Sequence, residues 1–165
     1  MDIKKYGSFE GIDKQRFREM VFSGFGRMLT SDYFEYCQPS CIYLAEASGL
    51  YYGGAVVENM PPDISYLDKI VVFKEHRGKK IAKQIWKEMN KDCKKLVWRA
   101  KRVNPFNQFY SEECDGLQKI GVWLVYWKGL DSKELEKGID YAMGKKPTLI
   151  ESINMVPEEF SPMQI

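Results

Sequence analysis

The sequence predicts one α/β domain of the α+β kind, in which a mixed, mostly antiparallel sheet is flanked by helices. Three observations lead there. A chain of 165 residues with 44% hydrophobic and 14% aromatic residues fits a single domain over 1–165 and supplies an ample core. Two apolar segments, Cys41-Ile42-Tyr43-Leu44-Ala45-Glu46 and Tyr51-Tyr52-Gly53-Gly54-Ala55-Val56-Val57, are joined by Ser48-Gly49 and read as an antiparallel hairpin. The stretch 66–90 then runs from an apolar strand through a basic, glycine-bearing turn into an amphipathic helix. Elements with one apolar face each must bury it against another layer, which here means helices on a sheet.

In chain order, Asp13 is a candidate N-cap for a helix over 14–29 with the apolar stripe Phe17, Met20, Val21 and Met28 or Leu29. Gly24 and Gly26 each weaken a helix by about 1 kcal/mol relative to alanine, so a break is expected near Phe25-Gly26-Arg27. It is either a plain helix end or a bend that lines a site. Pro39 closes the loop after Tyr33-Phe34, the hairpin comes next, and Pro61-Pro62-Asp63 ends it. Ile70-Val71-Val72-Phe73 has the β-branched content of a buried strand, while Ile81, Ala82, Ile85, Trp86 and Met89 recur at helical spacing. In the strand Leu96-Val97-Trp98-Arg99-Ala100-Lys101, the alternation puts Val97, Arg99 and Lys101 on one face and Leu96, Trp98 and Ala100 on the other. Asn104-Pro105 marks a turn before a short helix over 106–112, which Gly116 closes, and Val122-Trp123-Leu124-Val125-Tyr126-Trp127 is a core strand. The segment 131–142 reads as a closing helix with Leu135 and Ile139 apolar, and Pro147, Pro157 and Pro162 punctuate the residues from Gly144 onward. The last dozen or so residues are expected to form a loosely docked tail.

Composition narrows the function. Lys plus Arg number 25 and Asp plus Glu 23, a net charge of +2, which gives no support to a general nucleic-acid or membrane-surface role. The N-terminal MDIKKYGSFEGID lacks the apolar core of a signal peptide, and no apolar run approaches the roughly twenty residues of a membrane span. A cytoplasmic location is expected. Cys37, Cys41, Cys93 and Cys114 have no paired CxxC spacing and a single histidine, His76, beside them, so free thiols in a reducing compartment are expected and no metal.

The turn Lys74-Glu75-His76-Arg77-Gly78-Lys79-Lys80 between strand and helix is where an anion fits. The first turn of a helix has backbone N–H groups without intrahelical partners, and the helix dipole adds partial positive charge, so a phosphate is favoured there. Arg99 and Lys101 offer a second cationic face, either a solvated sheet face or a carboxylate pocket. Arg77-Gly78-Lys79-Lys80-Ile81-Ala82 resembles the coenzyme A pyrophosphate loop, R-x-x-G-x-G/A, of the GNAT N-acetyltransferases, with Lys80 where that family has its middle glycine.

Tyr66-Leu67-Asp68-Lys69, Trp98-Arg99-Ala100-Lys101, Asn104-Pro105-Phe106-Asn107-Gln108-Phe109-Tyr110, Asp115-Gly116 and Trp127-Lys128-Gly129-Leu130 together resemble the acetyltransferase domain of the vertebrate-like N-acetylglutamate synthases. The likeness covers about 25–130, leaving a C-terminal helix and tail over 131–165.

That resemblance implies an enzyme that moves acetyl from acetyl-CoA to glutamate. Carried onto matching positions, Lys69, Arg99, Lys101 and Arg27 bind the acceptor, Asn104 sits near the reacting amide, and Tyr110 serves the thiolate leaving group. Ile70, Val71, Val72, Arg77, Gly78, Lys79, Lys80, Ile81 and Ala82 hold the coenzyme. The family's WRSR is Trp98-Arg99-Ala100-Lys101 here, so Lys101 presents a point charge in place of a guanidinium fork. Relatives fuse this domain to an amino-acid-kinase-like domain, so the partners implied are the small amino-acid substrate, further copies of the chain, or a separate kinase-like subunit. The base that takes the amine proton is open between Glu58 and a water chain. Two other readings stand beside this one. They are a coenzyme A-binding module without turnover, and a GNAT enzyme for a different amine, of which a polyamine would be repelled by Arg99 and Lys101.

Overall fold

A computed structural model of the chain describes residues 1–150; the loosely docked tail expected at the C-terminus lies outside them. Among the described residues the elements run β1 (Asp2–Tyr6), α1 (Lys14–Phe25), α2 (Tyr33–Tyr36), β2 (Pro39–Ala47), β3 (Leu50–Met60), β4 (Ile64–Val72), α3 (Ile81–Asp92), β5 (Leu96–Lys101), α4 (Asn107–Glu113), β6 (Gly116–Ile120), β7 (Trp123–Lys128) and α5 (Ser132–Gly144). The strands make one sheet in the order β1-β2-β3-β4-β5-β7-β6. Every neighbouring pair is antiparallel except β4 and β5, which are parallel because α3 carries the chain between them. No described helix is long and apolar enough to cross a membrane.

The two faces are packed separately. α3 and α4 cover one face, with Ile81, Ile85, Trp86, Met89 and Tyr110 against Leu67, Ile70, Val72 and Trp98. On the other, α1 packs Phe17, Met20 and Val21 on Ile42, Val56 and Val71, and α5 brings Ala142 to Tyr66 and Val97. The alternation predicted for β5 holds, since Leu96, Trp98 and Ala100 join the α3 core and Val97 the α5 core.

α1 stops at Phe25, short of the predicted Leu29. Gly26 takes φ 71°, the left-handed conformation that glycine adopts at little cost, and its N–H bonds the Phe22 carbonyl at 2.8 Å. Gly24 answers a different need: a Cβ there would lie 2.1 Å from Val71 Cγ2, so its absence lets α1 sit directly on β4. Asp13 does cap α1, accepting from Arg16 N at 3.1 Å, and α5 opens with a full capping box between Asp131 and Glu134. Two strands, β1 and β6, are not expected from the sequence. Both are sheet edges with mostly solvent-facing side chains, so neither shows the alternation that marks a half-buried strand.

Two irregularities in β4 position the site. β4 pairs with β5 only at Ser65↔Leu96, Tyr66↔Val97 and Leu67↔Trp98, after which the parallel strands part. At that point the β3 register steps from Val57↔Leu67 to Val56↔Lys69, so Asp68 has no residue opposite it and forms a β-bulge. The bulge breaks the alternation and brings the side chains of Asp68 and Lys69 to the same face.

Candidate active site

The parting of β4 and β5 opens a crevice at the carboxyl ends of two parallel strands, the place where open α/β sheets receive ligands. Phe73 N donates to Tyr52 O at 3.0 Å. Counting back along the antiparallel ladder, Val71 and Lys69 turn their N–H and C=O to β3, while Ile70 and Val72 turn theirs to the crevice. Of the three β4 residues expected at the coenzyme, Ile70 and Val72 thus present backbone groups, whereas the Val71 side chain lies under α1.

Beyond β4 a 3₁₀ turn over Lys74–His76 leads to the glycine-bearing turn, where Gly78 has φ 83° and Lys80 φ 61°. Lys80 stands where the resembling loop has glycine and takes a glycine-like backbone conformation. The first intrahelical donor of α3 is Gln84 N, which reaches Lys80 O at 3.1 Å, and no side chain caps the helix. The N–H groups of Ile81, Ala82 and Lys83 therefore open α3 without intrahelical acceptors, beside the ammonium groups of Lys79 and Lys80. Arg77 is partly committed elsewhere, since its Nη2 donates to Gly24 O at 2.8 Å and ties the turn to the end of α1.

On the α1 and α5 face, a cleft of about 350 Å³ adjoins the crevice. Lys69, Arg99, Lys101, Arg27 and Asn104 all line it, so the structure brings together every acceptor residue expected from the sequence. Lys69 is buried, 5% exposed. Its Nζ lies 2.8 Å from Asp68 Oδ2 and 2.8 Å from Thr148 Oγ1, and 4.7 Å above the Tyr33 ring. Tyr33 donates its hydroxyl to the same Asp68 oxygen at 2.7 Å. Burial pushes the Asp68 carboxyl up, but Lys69 and the bonds from Lys69 and Tyr33 outweigh it and hold the group below its ordinary value. Arg99 lies 4.0 Å over the Trp123 ring and donates to Lys145 O at 2.9 Å, and Lys101 Nζ is 4.8 Å above the same ring. The Asn104 carboxamide lies in the turn after β5, where its Oδ1 accepts from Phe106 N at 2.8 Å.

The chain after α5 closes this cleft. Lys145, Lys146, Pro147, Thr148 and Leu149 line it, and the segment is held by the Leu29↔Leu149 bridge and by Ile150 N bonding Met28 O at 2.8 Å. Lys145 Nζ forms an ion pair with Glu58 at 2.8 Å that lacks hydrogen-bond alignment, and three rings, of Tyr36, Tyr66 and Tyr141, surround it. Burial works against the Lys145 charge, yet Glu58 holds its pKa above the ordinary value. Glu58, one of the two bases left open by the sequence, is thus engaged by an ammonium.

Tyr110 lies on the opposite face. It is 1% exposed, with its ring 5.5 Å from Trp98 and 5.3 Å from Tyr126, and burial pushes its phenol well above the ordinary value. Trp98 is the last β5 residue paired to β4, so Tyr110 packs where the crevice begins. The structure also adds Asp68, Trp123, Lys145 and Thr148 to the cleft. Strand alternation alone would set Asp68 opposite Lys69, and Thr148 is 79 positions from the lysine it bonds. Among the described residues no three His, Cys, Asp or Glu side chains gather into a metal-holding group, and the four cysteines are free thiols.

A seven-stranded sheet whose two parallel strands part at a bulge, with a helix N-terminus facing the gap, has the GNAT acetyltransferase fold. The crystal structure of the PaiA N-acetyltransferase from Thermoplasma acidophilum in complex with coenzyme A superposes with a TM-score of 0.58 at 17% identity, covering 78% of this chain and 99% of that one. The chain belongs to the N-acetyltransferase family of N-acetylglutamate synthase, whose sequence profile matches residues 4–145. It is 31% identical over 145 residues to the mitochondrial N-acetylglutamate synthase of Danio rerio, covering 85% of this chain and 27% of the relative. It is 30% identical over 149 residues to a protein named acetylglutamate kinase from Xanthomonas campestris pv. campestris, covering 87% of this chain and 34% of the relative. The chain thus spans about a third or less of the length of these relatives.

Proposed function

We propose that this chain transfers an acetyl group from acetyl-CoA to the α-amine of glutamate or a similar acidic amino acid. The observation that carries the reading is the join at the β4 bulge: a crevice edged by open backbone groups meets a cleft lined by the buried Lys69 and the half-buried Arg99. The names of the relatives, N-acetylglutamate synthase and amino-acid acetyltransferase, agree with it.

In this reading Ile70 and Val72 bond the coenzyme's amide arm along the crevice, and the turn 77–82 with the first turn of α3 takes its pyrophosphate. Arg99 and Lys69 take the acceptor carboxylates, with Lys101 and Arg27 adding positive potential and Asn104 orienting the reacting group. The amine nitrogen attacks the thioester carbon. A C–N bond forms, the C–S bond breaks with its electron pair leaving on sulfur, and a backbone N–H beside the bulge stabilises the oxyanion between these events. Tyr110, kept protonated by its burial, supplies the proton to sulfur, while the proton that the amine nitrogen gives up on becoming an amide leaves along a water chain to solvent, from which Tyr110 is reprotonated.

The working unit in this reading is the single domain 1–165, in which β1 and α1 complete the sheet and core and the chain after α5 closes the cleft beside the motif-bearing part 25–130. A second copy or a separate kinase-like subunit is the partner we favour, supported by the relative named for a kinase. The free thiols support a reducing compartment such as the cytoplasm, although several relatives carry mitochondrial names.

The test is release of free coenzyme A thiol from acetyl-CoA with glutamate, aspartate, glutamine or spermidine added in turn. Glutamate is expected to stimulate release most and spermidine least. Tight coenzyme A binding with no stimulation by any amino acid would show a binding module in place of an enzyme.

A further inference from the structure

An acceptor amino acid carries an ammonium as well as its carboxylates, and the cleft is otherwise built for anions. Six cationic side chains line it, Arg27, Lys69, Arg99, Lys101, Lys145 and Lys146, and among the described lining residues Asp68 is the one carboxylate. Its side chain is only 6% exposed. Lys69 offsets its charge through Oδ2 at 2.8 Å, and as a carboxylate lining the cleft it can still accept a bond from a ligand N–H, which a site shaped for dianions alone would not need.

Three details fit such a donor. Tyr33 and Lys69 both bond Oδ2, at 2.7 and 2.8 Å, which fixes the carboxylate plane and leaves Oδ1 for a further donor. Asp68 is the bulged residue, and Ile70 and Val72, whose backbone groups edge the crevice, lie just beyond it on β4. It therefore stands where the cleft meets the crevice, the place an amine must occupy to reach a thioester. Finally, the adjoining Lys69 ammonium already compensates much of the Asp68 charge, so a nitrogen held there is oriented without being locked in its protonated form.

We infer that Asp68 is the subsite for the acceptor's α-ammonium and sets the specificity for an α-amino dicarboxylate over a simple dicarboxylate. The inference rests on the acidic-amino-acid reading above. A role limited to neutralising Lys69 would not require the ligand to carry a nitrogen, and this separates the two accounts.

The experiment compares glutamate with glutarate, which has the same two carboxylates and no ammonium. Both are titrated against the protein saturated with coenzyme A, so that no turnover occurs. Glutamate is expected to bind the unsubstituted chain roughly ten- to a hundredfold more tightly, the worth of one charge-assisted hydrogen bond. Asp68→Asn should cut that preference to less than about threefold, while glutarate binds as well as before or better.

Glutarate binding as tightly as glutamate to the unsubstituted chain would overturn the Asp68 assignment and leave the dicarboxylate reading intact, and it needs no variant to fold. A preference that survives Asp68→Asn in a folded variant would overturn the assignment as well. If neither acid binds, the acidic-amino-acid reading fails and this inference falls with it.

Discussion

Lys69→Met isolates the central ion pair of the cleft. Methionine keeps most of the aliphatic stem and removes the ammonium, leaving Asp68 buried beside no cation at 2.8 Å, with the two side chains 4% and 6% exposed in the parent. Breaking one side of a pair buried to that degree destabilises by about 3–5 kcal/mol. For a domain of this size, at roughly 2–4 °C per kcal/mol, the melting temperature should fall by about ten degrees. Urea unfolding followed by tryptophan fluorescence at neutral pH gives the value directly.

The pH dependence comes from the Asp68 carboxyl. In the parent its pKa is held below the ordinary value, so its contribution is present above about pH 4 and is lost as pH falls through the folded pKa. Without Lys69 the folded pKa rises above the unfolded one, and the variant loses stability as pH climbs from about 4 toward neutrality. The gap between parent and variant should therefore be widest at neutral pH and narrow on acidification. Asp68→Asn added to Lys69→Met should recover most of the loss, because the uncompensated charge is gone. A single variant that loses less than about 1 kcal/mol, or a double variant no more stable than the single, would refute the view that these two residues form one electrostatic unit.

Gly24→Ala should destabilise by about 1–3 kcal/mol in chemical denaturation, since the new Cβ meets Val71 Cγ2 at 2.1 Å and α1 must lift from β4. Lys80→Gly should raise the unfolding free energy by up to about 1 kcal/mol in chemical denaturation, because a non-glycine residue at φ 61° is strained, and an unchanged or lower stability would argue against that strain. Tyr110→Phe should lower kcat by about a hundredfold or more with coenzyme A affinity retained, as measured by thiol release and direct titration. Unchanged turnover would reduce the Tyr110 hydroxyl to a packing detail.

Much of this architecture is written in local pattern. The apolar stripe of 14–25 with Asp13 before it, the hairpin hinged at Ser48-Gly49, the helical spacing from Ile81 to Met89 and the strict alternation of β5 each need only near neighbours to be recognised. The edges were not legible: β1 and β6 are paired on one side and exposed on their faces, so their lysines and glutamine carry no strand period. The end of α1 was foreseeable in kind, through two glycines, but not in division of labour, with Gly24 giving room for Val71 and Gly26 turning the chain.

The cleft divides along the same line. Arg99 and Lys101 could be placed on one face from the sequence because β5 is regular, and the basic turn into α3 could be read as an anion site because helix termini behave alike everywhere. Asp68 could not be placed. In an unbroken strand it would lie opposite Lys69, and only the register shift against Val56 and Val57, a contact between strands, turns it to the same face.

Thr148, Lys145 and Trp123 reach Lys69 and Arg99 across long separations that no local pattern records. The longer helices α1, α3 and α5 and the inner strands were legible in the sequence, and so was the basic turn as a place that suits an anion, since these depend on the nearest few residues; the short α2 was not. Tertiary structure alone decided that β4 and β5 part beside a bulge, that the chain after α5 closes the cleft, and that among the described lining residues Asp68 stands as the one carboxylate beside six cations, because each depends on how distant strands register and pack.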